Sequence, residues 1–324
     1  METCSRCRGI RVHDPVETLF TIAWNTQLAT VGMPSDALAD PLSLPIGIQL
    51  YAVSDGMQKD PAGTLKKLAQ IGYKEVEFLA PDASAIPSLR KMLDDSGLKA
   101  PSAMMEFDVN NLNKTFDQAH ALGCTYCTTA DPRALITPLP SFDVPPAERD
   151  AVAKKMVSVL DAPMSGDELK KILDTMNMIG DAAAKQGLKF AAHNHTFEFN
   201  LVGGKPLIFQ LMARTDPTKV KFEIDCGWAG VAGYNPVDIA TMFPGRIKLL
   251  HVKDFMTFKK GVHTGDESLA GAELGTGVID YKPIFAGLRG KGVEHLFVEQ
   301  EGPFSRMSQI QAAEVSYRFL RAFS

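Results

Sequence analysis

With 324 residues, 45% of them hydrophobic, the chain is long enough for one large core or for two ordinary domains. A net charge of -4 and a pI near 6.0 supply no basic surface for nucleic acid or anionic lipid. No apolar run approaches the ~20 residues that a membrane-spanning helix needs, so a small polar substrate fits the composition better than either partner.

Residues 1–43 follow no clean period. They mix Cys4, Cys7, Arg8, Arg11 and His13 with a short apolar patch, Thr18 to Trp24, that Asn25 and Gln27 interrupt. Two readings stand: an unprocessed extension on a cytoplasmic protein, or a degenerate export signal ending at Ala37-Leu38-Ala39, which would place the protein in a periplasm. Cys4-x-x-Cys7 has no second pair at zinc-finger spacing. Cys124, Cys127 and Cys226 lie in or beside apolar strand-like segments and read as reduced, buried small hydrophobes.

From Leu44 one unit recurs: an amphipathic helix, a glycine near its C-terminus, then a short apolar strand. IGIQLY, from Ile46 to Tyr51, reads as the first strand. Thr64 to Ile71 with Gly72 precedes KEVEF, Ser88 to Ser96 with Gly97 precedes LKAPSAMM, and Lys114 to Leu122 with Gly123 precedes CTYCTT. Leu169 to Gln186 with Gly187 leads to LKFAAHNH, Pro206 to Arg214 to VKFEID, and Pro236 to Phe243 with Gly245 to IKLLHV. Pro283 to Arg289 with Gly292 leads to EHLFVEQ, and Ile310 to Phe323 supplies the last helix. Glycine permits the left-handed stop of a helix and proline suits its first turn, so both fall where such helices should end and begin. Strands alternating with helices imply a parallel sheet, and eight such units imply an α/β fold, a single (β/α)8 TIM barrel over residues 44–324. An open doubly wound sheet is the competing architecture, but no G-x-G-x-x-G follows the first strand. Asp131 to Asp167, with Pro132, Pro138, Pro140, Pro145 and Pro146, is too long for a simple connection. It predicts a lid over the barrel mouth with a short helix around Ala147 to Leu160.

Chemistry in such a barrel sits at the C-terminal strand ends, and there KFAAHNHTFEF, VKFEIDCGW, IKLLHVKD and HLFVEQE each run from apolar into polar residues. Asp225, His251 and Glu299 occupy the last inward position of three strands, and Glu198 closely follows the fifth. These four are the candidate metal ligands. Carboxylates and an imidazole with no cysteine among them suit Mn2+, Co2+, Mg2+ or Zn2+. Taken singly, each has a plainer reading as a helix N-cap, a lysine's partner or a satisfied core histidine; convergence on one rim favours the metal. His193 and His195 share one face of the fifth strand and Asn194 takes the other. His195 is the leading acid or base; His193 could touch the metal or substrate, or only hydrogen-bond a ligand carboxylate. Lys253 should face the same way as His251, to polarise a substrate oxygen or to pair with Asp254 or Glu223. Trp228 reads as a wall for a sugar ring or as a core residue, and Gln49, Tyr51 and Glu77, ending strands one and two, as hydroxyl binders. Gly275 and Gly277 in ELGTGVIDY lack the lysine of a phosphate loop and read as a tight turn at the rim.

Taken together, HNHTFEF, FEIDCGW, LLHVKD, GTGVIDY and FVEQE, in this order and spacing, resemble the xylose isomerase-like barrel superfamily from about Ile46 to the C-terminus. The match is nearest to its sugar phosphate isomerases/epimerases, with inosose dehydratases, ketose 3-epimerases and lyases of 3-keto-glycosides as relatives. The resemblance implies a divalent ion held by Glu, Asp, His and Glu, which carries over to Asp225, His251 and Glu299. Where many epimerases have a glutamate in the fifth strand this chain has Ala192-His193, so either Glu198 reaches back or His193 substitutes. The implied chemistry is proton abstraction next to a carbonyl through a metal-stabilised enediolate, which makes a sugar isomerase or epimerase. Expelling a β leaving group instead makes a lyase or dehydratase on a keto-sugar or 3-keto-glycoside. His195 is then the base, with Glu198, Glu299 and Lys253 as further catalytic candidates. A nuclease akin to endonuclease IV would need more metal ligands and a positive groove, and a non-catalytic sugar-binding barrel would not need the ligand set intact. The expected partner is a sugar or sugar derivative, with neither nucleic acid nor membrane; a homo-oligomer is compatible with this reading.

Overall fold

A computed structural model of the chain describes residues 41–140, 148–261 and 269–323. The extension expected at 1–43, with Cys4, Cys7 and the candidate export signal, lies outside the described residues except for a 3-10 turn at Pro41–Ser43. Eight parallel strands follow: β1 (Ile46–Gln49), β2 (Glu75–Glu77), β3 (Ser102–Met104), β4 (Tyr126–Thr129), β5 (Lys189–His193), β6 (Val220–Asp225), β7 (Ile247–Val252) and β8 (His295–Val298). They pair in the order 2-1-8-7-6-5-4-3, and backbone bridges Glu75 to Lys99 and Leu79 to Met104 tie β2 to β3 and close the ring. No helix among the described residues is long and apolar enough to cross a membrane.

The helices are α1 (Ser54–Lys59), α2 (Pro61–Ile71), α3 (Ile86–Ser96), α4 (Leu112–Leu122), α5 (Arg149–Leu160), α6 (Gly166–Lys185), α7 (Leu207–Arg214), α8 (Cys226–Val231), α9 (Pro236–Met242), α10 (Tyr281–Leu288) and α11 (Gln309–Arg321). Their ends follow the sequence signals. Asp60 caps α2 by accepting from the Gly63 amide, with Pro61 in the first turn. Ser165 and Glu168 form a reciprocal capping box on α6, the kind of cap whose removal costs about 1 kcal/mol. α3 and α4 stop at Gly97 and Gly123 in the left-handed conformation.

Strands buried against helices on one side and the barrel interior on the other read as continuous apolar runs, and Ile48, Val76, Cys127, Ile224, Leu250 and Val298 are all buried. In the lower interior Tyr126, Ala191, Leu249 and Phe297 form one cluster. Phe297 reaches across to β1, where a Cβ on residue 47 would lie 2.5 Å from its ring, so glycine is required there. Two residues further along each strand the same face turns polar: Gln49, Thr128, His193, His251 and Glu299 are buried, as is Glu77. A register shift between Phe222 and Glu223 marks a bulge in β6 just before its two acidic residues. Burying polar groups costs stability unless they are paired, so this half of the interior is the candidate site.

The expected lid is present in α5, with residues 141–147 of the same loop outside the described ones. The buried guanidinium of Arg133 donates to the carbonyls of Leu160, Ala162 and Pro163, tying down the C-terminal end of α5. Ala153, Met156, Val157 and Leu160 of that helix close a cavity of about 130 Å³ over Asp131, His195, Trp228 and Glu301. Cys124, Cys127 and Cys226 are free and buried, as read from the sequence.

Candidate metal centre

Asp225, His251 and Glu299 come together at the top of the interior, with one ligand atom from each within 4.8 Å of the others. Asp225 ends β6 and caps α8, its Oδ1 accepting from the Trp228 amide at 2.7 Å. Its Oδ2 is buried and has no hydrogen-bond partner. Burial pushes this carboxyl up, against the pull of Lys253. His251 presents Nδ1 to Glu299 at 3.0 Å, while Nε2 meets Glu77 at 2.6 Å. Glu77 in turn accepts from Ser102 at 2.5 Å. A carboxylate behind one ring nitrogen fixes the orientation of the other, as it does for histidines that ligate metals. Burial works against a charged His251, but Glu223 and Glu299 push it well above the ordinary range. Burial likewise raises Glu299, but Lys253 and His251 outweigh it and hold the carboxyl well below its usual range.

Two carboxylates and an imidazole, with one buried oxygen that makes no well-formed hydrogen bond, fit a hard or borderline divalent ion. The neighbouring Cys226 thiol is pushed up by burial and offers no thiolate. Lys253 also enters this centre: its Nζ lies 2.9 Å from Glu299, 3.3 Å from Asp225 and 2.5 Å from Glu301. Burial alone would pull this lysine down; Asp225, Glu299 and Glu301 push it well above its usual value. Its partners are therefore not Asp254 or Glu223. Asp254 is enclosed by the glycine turn, accepting from the amides of Phe255, Gly275, Gly277 and Ile279 at 2.9 to 3.2 Å. A Cβ at residue 277 would lie 2.2 Å from that carboxylate, so the turn wraps an internal anion and anchors the end of β7.

Beside the centre, Asp131, His195 and Glu198 form a second group with ligand-type atoms within 4.8 Å of one another. Asp131 follows β4 and lies 3.3 Å from His195 Nδ1. The 3-10 turn Phe197–Phe199 folds Glu198 back, so that its carboxylate accepts from the His195 amide at 2.8 Å. Glu198 thus joins Asp131 and His195 rather than the Asp225, His251 and Glu299 group. Burial opposes charge on His195, whose side chain is 30% exposed, but Asp131 raises it to about 9. Burial and then Asp131 raise Glu198 to about 7.

His193 is buried next to Glu223, 3.4 Å from its carboxylate, with its ring 4.6 Å from that of His251. Glu77 and Gln49, expected at the rim, are buried beneath His251. Trp228 lines the cavity, and Lys253 Nζ stands 4.7 Å over its ring. Tyr51 is exposed on a turn beyond β1. Sequence reading passed over Asp131, Glu301 and the inward role of Glu223, although each lies at or near a strand end, and the latter two are in step with Asp225 or Glu299.

Eight parallel strands closed around a carboxylate and imidazole centre at their C-terminal ends define a (β/α)8 barrel with a metal-type site. The chain belongs to the Xylose isomerase-like TIM barrel family, whose model matches residues 65–323. An inosose dehydratase of Geobacillus kaustophilus is 25% identical over 246 residues, 69% of this chain and 74% of the relative. That of Geobacillus thermodenitrificans is 30% identical over 41% of this chain and 46% of its own length. The chain spans about half the length of most of the curated relatives it matches. A crystal structure of a sugar phosphate isomerase/epimerase from Parabacteroides distasonis has a TM-score of 0.65 at 23% identity, covering 91% of this chain and 98% of that one. A Mycobacterium smegmatis xylose isomerase-like barrel in complex with magnesium has a TM-score of 0.56 at 18% identity, covering 88% and 99%. At these identities the structural likeness is one of fold.

Proposed function

We propose that the chain is a divalent-metal-dependent lyase of the dehydratase type, which removes a proton beside the carbonyl of a keto-sugar and expels the β-hydroxyl as water. The observation that carries this reading is the group formed by Asp131, His195 and Glu198, in which Asp131 and His195 line the cavity, the imidazole of His195 is held charged and the Glu198 carboxylate is poised to take a proton, near the Asp225, His251 and Glu299 group. The inosose dehydratases among its relatives support the same choice. An ion held by Asp225, His251 and Glu299 would supply Lewis acidity toward the ketone oxygen and a neighbouring hydroxyl.

Glu198 takes the proton from the carbon next to the carbonyl. The released electron pair forms a carbon–carbon double bond as the β carbon–oxygen bond breaks, and the departing hydroxyl takes its proton from His195. A pair of titratable groups pushed to different pKa values suits this division of roles. Asp131 orients and charges His195, Lys253 presents a positive edge to developing oxyanion charge, and α5 keeps water out.

An isomerase or epimerase is the second reading, favoured by the nearly neutral pKa of Glu198, which could return the proton to carbon. The test is incubation with Mn2+ and a panel of inososes and keto-sugars in D2O, followed by proton NMR. Loss of water with appearance of an unsaturated ketone supports the dehydratase. Deuterium in an epimeric or isomeric sugar would favour the second reading, and neither change across the panel would contradict both.

A further inference from the structure

Lys253 brings a positive charge into the volume that a divalent ion would share. Its Nζ contacts Glu299 Oε2 and Asp225 Oδ2, and these same two oxygens face His251 Nδ1 at 3.0 and 3.9 Å. On its outer side Nζ holds Glu301 Oε1 at 2.5 Å. The stem has little room to drift. Lys253 is 1% exposed, its amide and carbonyl both bond the Tyr281 hydroxyl at 2.8 and 2.7 Å, and a Cβ on residue 227 would already lie 3.0 Å from its own Cβ. Asp225 and Glu299 repel each other if no cation lies between them, whereas two cations on the same oxygens repel each other.

We propose that Lys253 is a tethered counterion for the metal centre: it neutralises Asp225 and Glu299 when no ion is bound, lowers the affinity of the site for a divalent cation, and is drawn toward Glu301 when the cation enters. This rests on the reading that Asp225, His251 and Glu299 hold an ion. Glu301 suits the receiving role because its side chain is 30% exposed and can adapt, whereas Glu299 and Asp225 are fixed in the interior. The arrangement gives a centre that stays folded while empty and exchanges its metal.

The experiment is Mn2+ binding by calorimetry, with thermal melting of chelator-stripped full-length protein, for wild type, Lys253→Met and Glu301→Gln. Lys253→Met should bind Mn2+ at least tenfold more tightly. Its stripped form should melt lower than wild type and gain more from added Mn2+. Glu301→Gln removes the outer partner and should act in the opposite sense, weakening Mn2+ binding several-fold with the stripped melting temperature retained. Recovery of Lys253→Met only when Mn2+ is present also supports the role; if that variant is not recovered at all, the sign of the Glu301→Gln effect decides. Wild type that binds Mn2+ with the same affinity as the variants would overturn this proposal alone, and wild type that binds no Mn2+ would overturn the metal reading with it.

Discussion

The two ends of the barrel handle charge in opposite ways. At the N-terminal end, Glu294 accepts from Lys189 at 2.6 Å and Tyr126 at 2.7 Å and lies 3.2 Å from Lys248, while His295 meets Glu75 at 2.8 Å. Burial tends to raise Glu294, but these partners outweigh it and hold the carboxyl at about 2. At the C-terminal end carboxylates outnumber their cations. Asp225, Glu299 and Glu301 share one lysine, and Asp225 Oδ2, Asp131 Oδ1 and both Glu223 oxygens are buried without a well-formed hydrogen bond, their nearest partners being Lys253 Nζ or histidine ring nitrogens at 3.3 to 3.5 Å. A buried polar atom left unsatisfied costs about 1–3 kcal/mol. Among the described residues the lower end leaves one such atom, Arg246 Nε, and the upper end leaves several grouped together, as a site built to bind something does.

The largest effect expected at the upper end is on turnover. His195→Asn should lower kcat by about 10²–10⁴ while leaving Mn2+ affinity within a few-fold, as loss of a general acid does; an unchanged kcat would remove His195 from the chemistry. The pH profile of kcat/KM sharpens the same contrast. Activity needs Glu198 without its proton and His195 with one, so it should rise as the pH passes about 7 and fall beyond about 9. A profile that is flat across that range would sink the assignment.

Arg133→Met should free the end of α5 by leaving the Leu160, Ala162 and Pro163 carbonyls without their donor, a local cost of about 1–3 kcal/mol. Hydrogen exchange across Arg149–Leu160 should quicken and KM should rise; unchanged exchange there would mean that the lid is held by other contacts. The smallest effect belongs to the lower end. Glu294 is depressed in the folded state, so its contribution is complete above about pH 4.5 and lost as the pH falls through about 2. With a third of the side chain in solvent, Glu294→Gln should cost only about 1 kcal/mol at neutral pH, and less in acid, with Mn2+ binding untouched. An effect on metal binding would break the separation of the two ends.

The barrel was legible in the sequence because most strands are short apolar runs and most of the helices between them are punctuated by glycine or proline. Asp225, His251 and Glu299 were legible because a strand that turns polar at its last inward residue has few structural reasons to do so. What was not legible is what meets across the barrel axis. Glu77 reads as a rim residue from its own strand, but barrel closure carries it under His251, five strands away in sequence order. Lys253 finds Asp225, Glu299 and Glu301 because β6 and β8 flank β7, which no spacing along β7 reveals. Glu198 depends on a single 3-10 turn, which brings it to the His195 amide. Asp254 fills the glycine turn that resembled an anion-binding loop, so the anion was encoded two dozen residues upstream of it.

The central claim is that Asp225, His251 and Glu299 hold one divalent ion. The most direct test is the metal stoichiometry and Mn2+ affinity of purified wild type beside Asp225→Asn, which keeps the oxygen that caps α8 and removes the charge. One ion per chain in wild type, with affinity in the variant reduced at least a hundredfold and its fold intact by circular dichroism, is the predicted result. Equal binding by the two proteins, or none by either, would contradict it.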